Sequence, residues 1–209
     1  MYAIIDTEGS GLFDFSKPAD ADGQPHLAEL AIIYADAEFN IEREYRAYVK
    51  PEGWTMNEKA TAVNGLTDVI LNEKGVPIAN VLAEYTAAIK EGRAIVAFNA
   101  QHDCKTMRAE LRRAGLPDLF EETKNICVMR KAAGIIPKAG GKKGWPKLIE
   151  ARAHLGLSDE GAHTAGADAL VALQILKYLA AHNVDLTPEV HYSANYDAIK
   201  AAGKTEDIT

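Results

Sequence analysis

Apolar residues gather in short runs near the N-terminus and take up helical spacing later in the chain. Tyr2 to Thr7 reads as a short buried strand around Ile4 and Ile5, ended by a turn at Gly9–Gly11. Phe13 to Pro25, rich in Asp, Gly and Pro, reads as an exposed loop. Leu27 to Tyr34 is apolar with Glu29 embedded, and Ile41 to Val49 alternates in type. With a turn near Asp36–Asn40 these form an antiparallel hairpin continuing from the first strand. Val76 to Ile89 carries Val81, Leu82, Tyr85 and Ile89 at helical spacing. Ala94 to Phe98 reads as a strand, His102 to Ala114 as a helix closed by Gly115 and Pro117, and Ile126 to Met129 as another strand. Trp145 to Leu155 and Ala165 to Ala181 are the last predicted helices. Strands first and strand–helix alternation afterwards predict an α/β mixed sheet with helices packed on it.

The chain has 209 residues, the length of one domain. That domain is expected over residues 1–182, with a polar, weakly periodic tail over 183–209. Hydrophobic content of 47% and charged content of 25% are ordinary for a globular protein. No apolar run approaches the ~20 residues needed to span a bilayer, and the N-terminus lacks the basic start of a signal peptide. Two cysteines, Cys104 and Cys127, are too few for a disulfide framework. A cytoplasmic location, with no membrane partner, is the expectation. The net charge of −7 argues against a sequence-specific DNA binder, because gripping a long duplex takes many basic contacts. It argues less against an enzyme holding a few terminal nucleotides, since bound divalent ions reverse the sign of an acidic site locally.

The candidate chemistry is acidic. Residues i and i+2 of a strand share a face, so Asp6 and Glu8 point together while Thr7 points away. Such a pair needs a cation or a shared proton, and hard oxygen ligands suit Mg²⁺ or Mn²⁺. Asp168 falls in the first two turns of the last helix, with His163 in the loop before it. An imidazole with an ordinary pKa near 6.5 suits proton abstraction around neutral pH. Asp103 lies where the strand ending at Phe98 passes into a helix. Each motif alone has a plainer reading: a solvated turn, an acid at a helix start, a loop histidine. Their joint occurrence at comparable strand and helix ends is what points to a metal-dependent site.

Taken together the motifs resemble the DnaQ-like 3′–5′ exonucleases of the DEDDh type. Asp6-Thr7-Glu8-Gly9-Ser10-Gly11-Leu12 is similar to the family's first motif, and Glu29-Leu30-Ala31 to its Glu-x-Ala strand. Val63-Asn64-Gly65-Leu66-Thr67 is similar to its Gly-Ile-Thr segment, and Asn99-Ala100-Gln101-His102-Asp103 to its second motif. His163-Thr164-Ala165-Gly166-Ala167-Asp168-Ala169 resembles the third, and the likeness runs in order from Tyr2 to Ala181. Departures are Phe98 where a histidine is common, His102 where a phenylalanine is common, and Gly9-Ser10 in place of two threonines.

The resemblance implies a ribonuclease H-like fold, a mixed five-stranded sheet with helices on both faces. It implies two Mg²⁺ ions per site, with Mn²⁺ as a substitute: Asp6 bridging both, Glu8 and Asp168 ligating one, and Asp103 supporting through water. His163 would deprotonate the attacking water. The implied partner is nucleic acid with a free 3′ end, single-stranded or frayed, with DNA as the leading reading. An exoribonuclease or oligoribonuclease, a polymerase-associated proofreading module and a homodimer stay open. A small-molecule phosphoesterase is disfavoured by the lack of a phosphate loop. Leu12 and Leu66 match positions that wedge or stack against a terminal base, and Asn99 joins them as a substrate-binding candidate.

Lys142 and Lys143 form a basic patch beside Trp145, a pairing suited to backbone contact and base stacking. Reversing the charge of both lysines should raise KM for a nucleic acid and flatten its salt dependence. An unchanged KM across a salt series would assign the patch to solvent.

Overall fold

The fold is laid out by the strand that starts the chain. In a computed structural model, which describes residues 1–14, 17–141, 144–158 and 163–189, β1 (Tyr2–Gly9) lies at the centre of a five-stranded sheet. It pairs antiparallel with β2 (Leu27–Ala35), and β2 with β3 (Ile41–Tyr48). On its other side it pairs parallel with β4 (Ala94–Ala97), and β4 with β5 (Asn125–Cys127). The order is β3-β2-β1-β4-β5, the mixed sheet expected from the sequence.

Seven helices accompany the sheet among the described residues: α1 (Glu58–Asn64), α2 (Asp68–Lys74), α3 (Ile78–Lys90), α4 (Ala100–Arg113), α5 (Val128–Lys131), α6 (Leu148–His154) and α7 (Ala165–Ala181). Strand alternation sorts them into two layers. Ala3 and Ile5 of β1, with Leu30, Ile32 and Tyr34 of β2, pack on Leu82 and Tyr85 of α3 and Met107 and Leu111 of α4. Ile4, Ala31 and Ile33 face the opposite way, onto Leu173, Leu176 and Leu179 of α7. Because both faces are covered, β2 is buried along its whole length. The outermost β3 is exposed over Ile41–Glu44, where Glu42, Arg43 and Glu44 keep a free edge charged. No helix among the described residues is long and apolar enough to cross a membrane.

Several boundaries differ from the sequence reading, each for a local reason. The helix predicted from Val76 starts at Ile78, because Pro77 favours extended backbone before it. Val76 instead forms a parallel bridge with Val49. The predicted strand through Met129 ends at Cys127, and Val128 turns into α5 while the Met129 N–H bonds the Phe98 carbonyl at 3.0 Å. Two helices with no periodic signal, α1 and α2, are held by side-chain caps. Asn57 accepts from the Lys59 N–H, Thr67 accepts from the Ile70 N–H, and Gly65 ends α1 in the left-handed region at φ 71°.

The described residues of the stretch from Phe13 to Pro25 are held by more contacts than an exposed loop would make. Its two ends are tied by the buried Gln24 amide, which accepts from the Asp14 N–H at 2.9 Å and donates to the Asp14 carbonyl at 2.8 Å and the Pro18 carbonyl at 2.9 Å. Phe13 and Ala19 pack on Ala109 of α4. Of the expected tail, Val184 and Leu186 pack against the α7 core, and Glu189 forms a bridge with Asn125. Residues 190–209 lie outside the described residues.

Gly75 ends α2 at a very close approach to Lys50, two residues past β3. A Cβ there would lie 2.3 Å from the Leu71 carbonyl oxygen and 2.6 Å from the Lys50 nitrogen. Gly75→Ala should therefore lower stability by about 1–3 kcal/mol, the cost of forced overpacking. Denaturant titration checks this, and an unchanged midpoint would show that this junction yields freely.

Candidate active site

The acids converge through the same alternation that builds the core. Asp6 and Glu8 follow Ile4 onto the α7 face of β1, and α7 carries Asp168 in its first turn. Carboxylate oxygens of Asp6, Glu8 and Asp168 lie within 4.8 Å of one another. Thr7 follows Ile5 onto the opposite face. There its N–H and its hydroxyl both donate to Asp103 Oδ1 of α4, at 3.0 and 2.9 Å. Asp103 therefore approaches from the other helix layer, anchored to the strand residue between the two ligand candidates.

The start of α7 is fixed by several contacts. Thr164 caps it by accepting from the Ala167 N–H. Glu29, 1% exposed and opposite Glu8 in the β1–β2 register, accepts from the Ala165 N–H and pairs with Arg46. Arg152 of α6, 3% exposed, pairs with Asp168 at 2.5 Å. His163 is exposed, holds a left-handed φ of 65°, and donates its backbone N–H to the Asp168 carboxylate. A non-glycine residue in that region carries strain that its surroundings must offset. Sequence reading had no means of finding Thr7, Arg152 or Asn64 as partners, since each acts across a fold contact.

Gathering acids away from water raises their affinity for protons. Burial first, then the charges of Asp103, Asp168 and Glu8, holds Asp6 well above the usual carboxylate range. Burial also lifts Glu8 to about 7, opposed by a hydrogen bond from the Asn64 side chain and aided by the Asp168 and Glu29 charges. Asp103 is raised by burial against the pull of His102 and Thr7. Asp168 is raised by burial against the pull of Arg152 and His163. Carboxylates crowded in this way, offering hard oxygen donors, fit a divalent cation such as Mg²⁺ or Mn²⁺.

Beside Glu8 opens a cleft of about 470 Å³, lined by Gly11, Leu12, Lys59, Asn64 and His102 among others. Leu12 is 90% exposed at its rim. Leu66 is instead 5% exposed, packed with Ala28 and Leu71, and is not among the residues that line the cleft. Asn99 is half-buried one residue before α4, where its carbonyl accepts from the His102 N–H at 2.8 Å, and it does not line the cleft. His102 meets the Phe13 ring edge-on at 6.0 Å, linking the cleft wall to the loop tied by Gln24. Lys142 and Lys143 lie outside the described residues.

The raised acids carry a pH signature. A carboxyl whose folded pKa exceeds its unfolded value stabilises the fold through its protonated form. For Glu8 that contribution is fully present below 4.5 and is lost as pH rises through about 7. In EDTA, the melting temperature should fall between about pH 5 and about pH 8, and Glu8→Gln should flatten part of that fall. A melting temperature that rises over the same interval would contradict the electrostatics.

The chain is similar to known proteins over most of its length. The RNase_T family, described as Exonuclease, matches residues 3–176. The uncharacterized exonuclease CP81 of Escherichia phage 186 is 30% identical over 190 residues, covering 85% of this chain and 87% of the phage protein. Among solved structures, exonuclease I aligns with a TM-score of 0.73 at 18% identity. E. coli exonuclease I in complex with a dA16 oligonucleotide aligns with a TM-score of 0.72 at 19% identity. Each alignment covers 86% of this chain but only 40% of the longer exonuclease I chain, and at that identity the likeness speaks for the fold. Matched over most of its length and paired with a phage relative of similar extent, the chain belongs to the RNase_T exonuclease family, DnaQ-like members of the ribonuclease H-like superfamily.

Proposed function

We propose that this chain is a metal-dependent 3′–5′ exonuclease that removes nucleotides from single-stranded or frayed DNA ends. The observation that carries the reading is the convergence of Asp6, Glu8 and Asp168 within 4.8 Å at the edge of a cleft of nucleotide size. Exonuclease I in complex with dA16 and dT13 oligonucleotides, seen in structures of the same fold, supports single-stranded DNA as the substrate class.

Bound divalent ions supply charge neutralisation at the scissile phosphate and on the leaving oxygen. The chain's own residues do the rest. Asp6, Glu8 and Asp168 would hold the ions, and Asp103 keeps Thr7, and with it the register of β1, in place. His163, open to solvent beside Asp168, takes a proton from the attacking water. Leu12 offers an apolar face to the terminal base, and Lys59 on the cleft wall offers a charge to the backbone.

With 3′-labelled and 5′-labelled DNA and RNA oligomers, cleavage should shorten DNA progressively from its 3′ end in Mg²⁺ and stop in EDTA. Asp6→Ala or Asp168→Ala should lower kcat by about three orders of magnitude, the several kcal/mol that metal ions contribute. His163→Ala should slow kcat by about 10²–10⁴ while sparing metal affinity. Full activity in either aspartate variant would remove the mechanism, and shortening of RNA alone would move the substrate.

A further inference from the structure

Among the described residues, Arg152 is the guanidinium paired with one of the four acids, Asp168. It sits on α6, outside every motif that marks the site, and is 3% exposed. One of its nitrogens donates to Asp168 Oδ1 at 2.5 Å, and the other terminal nitrogen donates to the Ser158 carbonyl at 3.0 Å. Ser158 leads the chain toward His163, whose own N–H returns to the Asp168 carboxylate. One planar cation thus ties Asp168 to the backbone at Ser158, while His163 is tied to the same carboxylate.

We propose that Arg152 is a positioning residue and resident counter-charge for Asp168, fixing the Asp168–His163 geometry while restraining how tightly the acidic cluster attracts divalent cations. This rests on the functional reading above. Only arginine provides a rigid fork that reaches two acceptors in different directions, and its charge persists at every working pH. Asp168 has two oxygens, so pairing with Arg152 leaves it able to serve an ion as well. The two roles pull apart on substitution. Removing the charge lets the acids attract a cation more strongly, whereas losing the fork lets the ligand and the loop drift.

The test is calorimetric titration of Mn²⁺ into the EDTA-stripped full chain, alongside steady-state kinetics on a DNA oligomer. Arg152→Gln should bind Mn²⁺ about tenfold more tightly, the scale of removing one charge near a divalent ion. Its kcat should fall by about 10–100-fold with KM within about twofold, as expected for displaced catalytic groups. Arg152→Lys keeps the charge but not the fork, so it should bind Mn²⁺ within about threefold of wild type while losing kcat similarly. Unchanged or weakened Mn²⁺ binding in Arg152→Gln, or kcat retained in Arg152→Lys, would overturn the proposal. Should Arg152→Gln fail to fold, Arg152→Lys decides alone. A wild-type chain that binds no Mn²⁺ would overturn this proposal together with the metal reading, whereas normal wild-type binding with indifferent variants would overturn this proposal only.

Discussion

Everything at the site depends on the two-residue repeat of a single central strand. β1 is sandwiched between two helix layers, so each residue must serve one or the other. Ile5 and Thr7 answer to α3 and α4, while Ile4, Asp6 and Glu8 answer to α7. The apolar residues of β1 fix its register in the core, and that register aims the acids beyond them. A slip of one residue would bury Asp6 against Met107 and turn Thr7 toward Asp168. Core packing and the placement of the acids are therefore one constraint.

The second constraint is charge. Acids placed this close oppose folding unless protons, cations or donors offset them. The structure uses several devices at once. Thr7 gives Asp103 two neutral donors, Asn64 supports Glu8, Arg152 pairs with Asp168, and Arg46 pairs with Glu29. None of them reaches Asp6 among the described contacts, and Asp6 is the acid the resemblance assigns to both ions. The least compensated carboxylate is thus the one with most to gain from metal.

Much of this was legible in the sequence where the signal is local. The span of α7 follows from its apolar spacing, and the common face of Asp6 and Glu8 follows from strand period alone. Where the reading stopped, the physics is non-local. Helices α1 and α2 are seven residues each, too short for periodicity, and depend on the Asn57 and Thr67 caps. Leu66 and exposed Leu12 look alike as letters, and only packing on Leu71 separates them. Thr7 meets Asp103 across 96 residues, a contact no spacing rule encodes. Gln24, in a segment that reads as loop, closes that segment through hydrogen bonds to backbone.

Helix α7 has a double employment with a practical consequence. Its first turn carries Asp168, while Leu173, Ile175, Leu176 and Leu179 farther along are fully buried in one of the two cores. The helix cannot loosen at its functional end without disturbing the plank on which that core rests. Heat inactivation should accordingly track global melting, with no separate, earlier loss of the active centre. Attempts to harden such an enzyme gain most from the core beneath α7, since whatever steadies that helix steadies the chemistry with it.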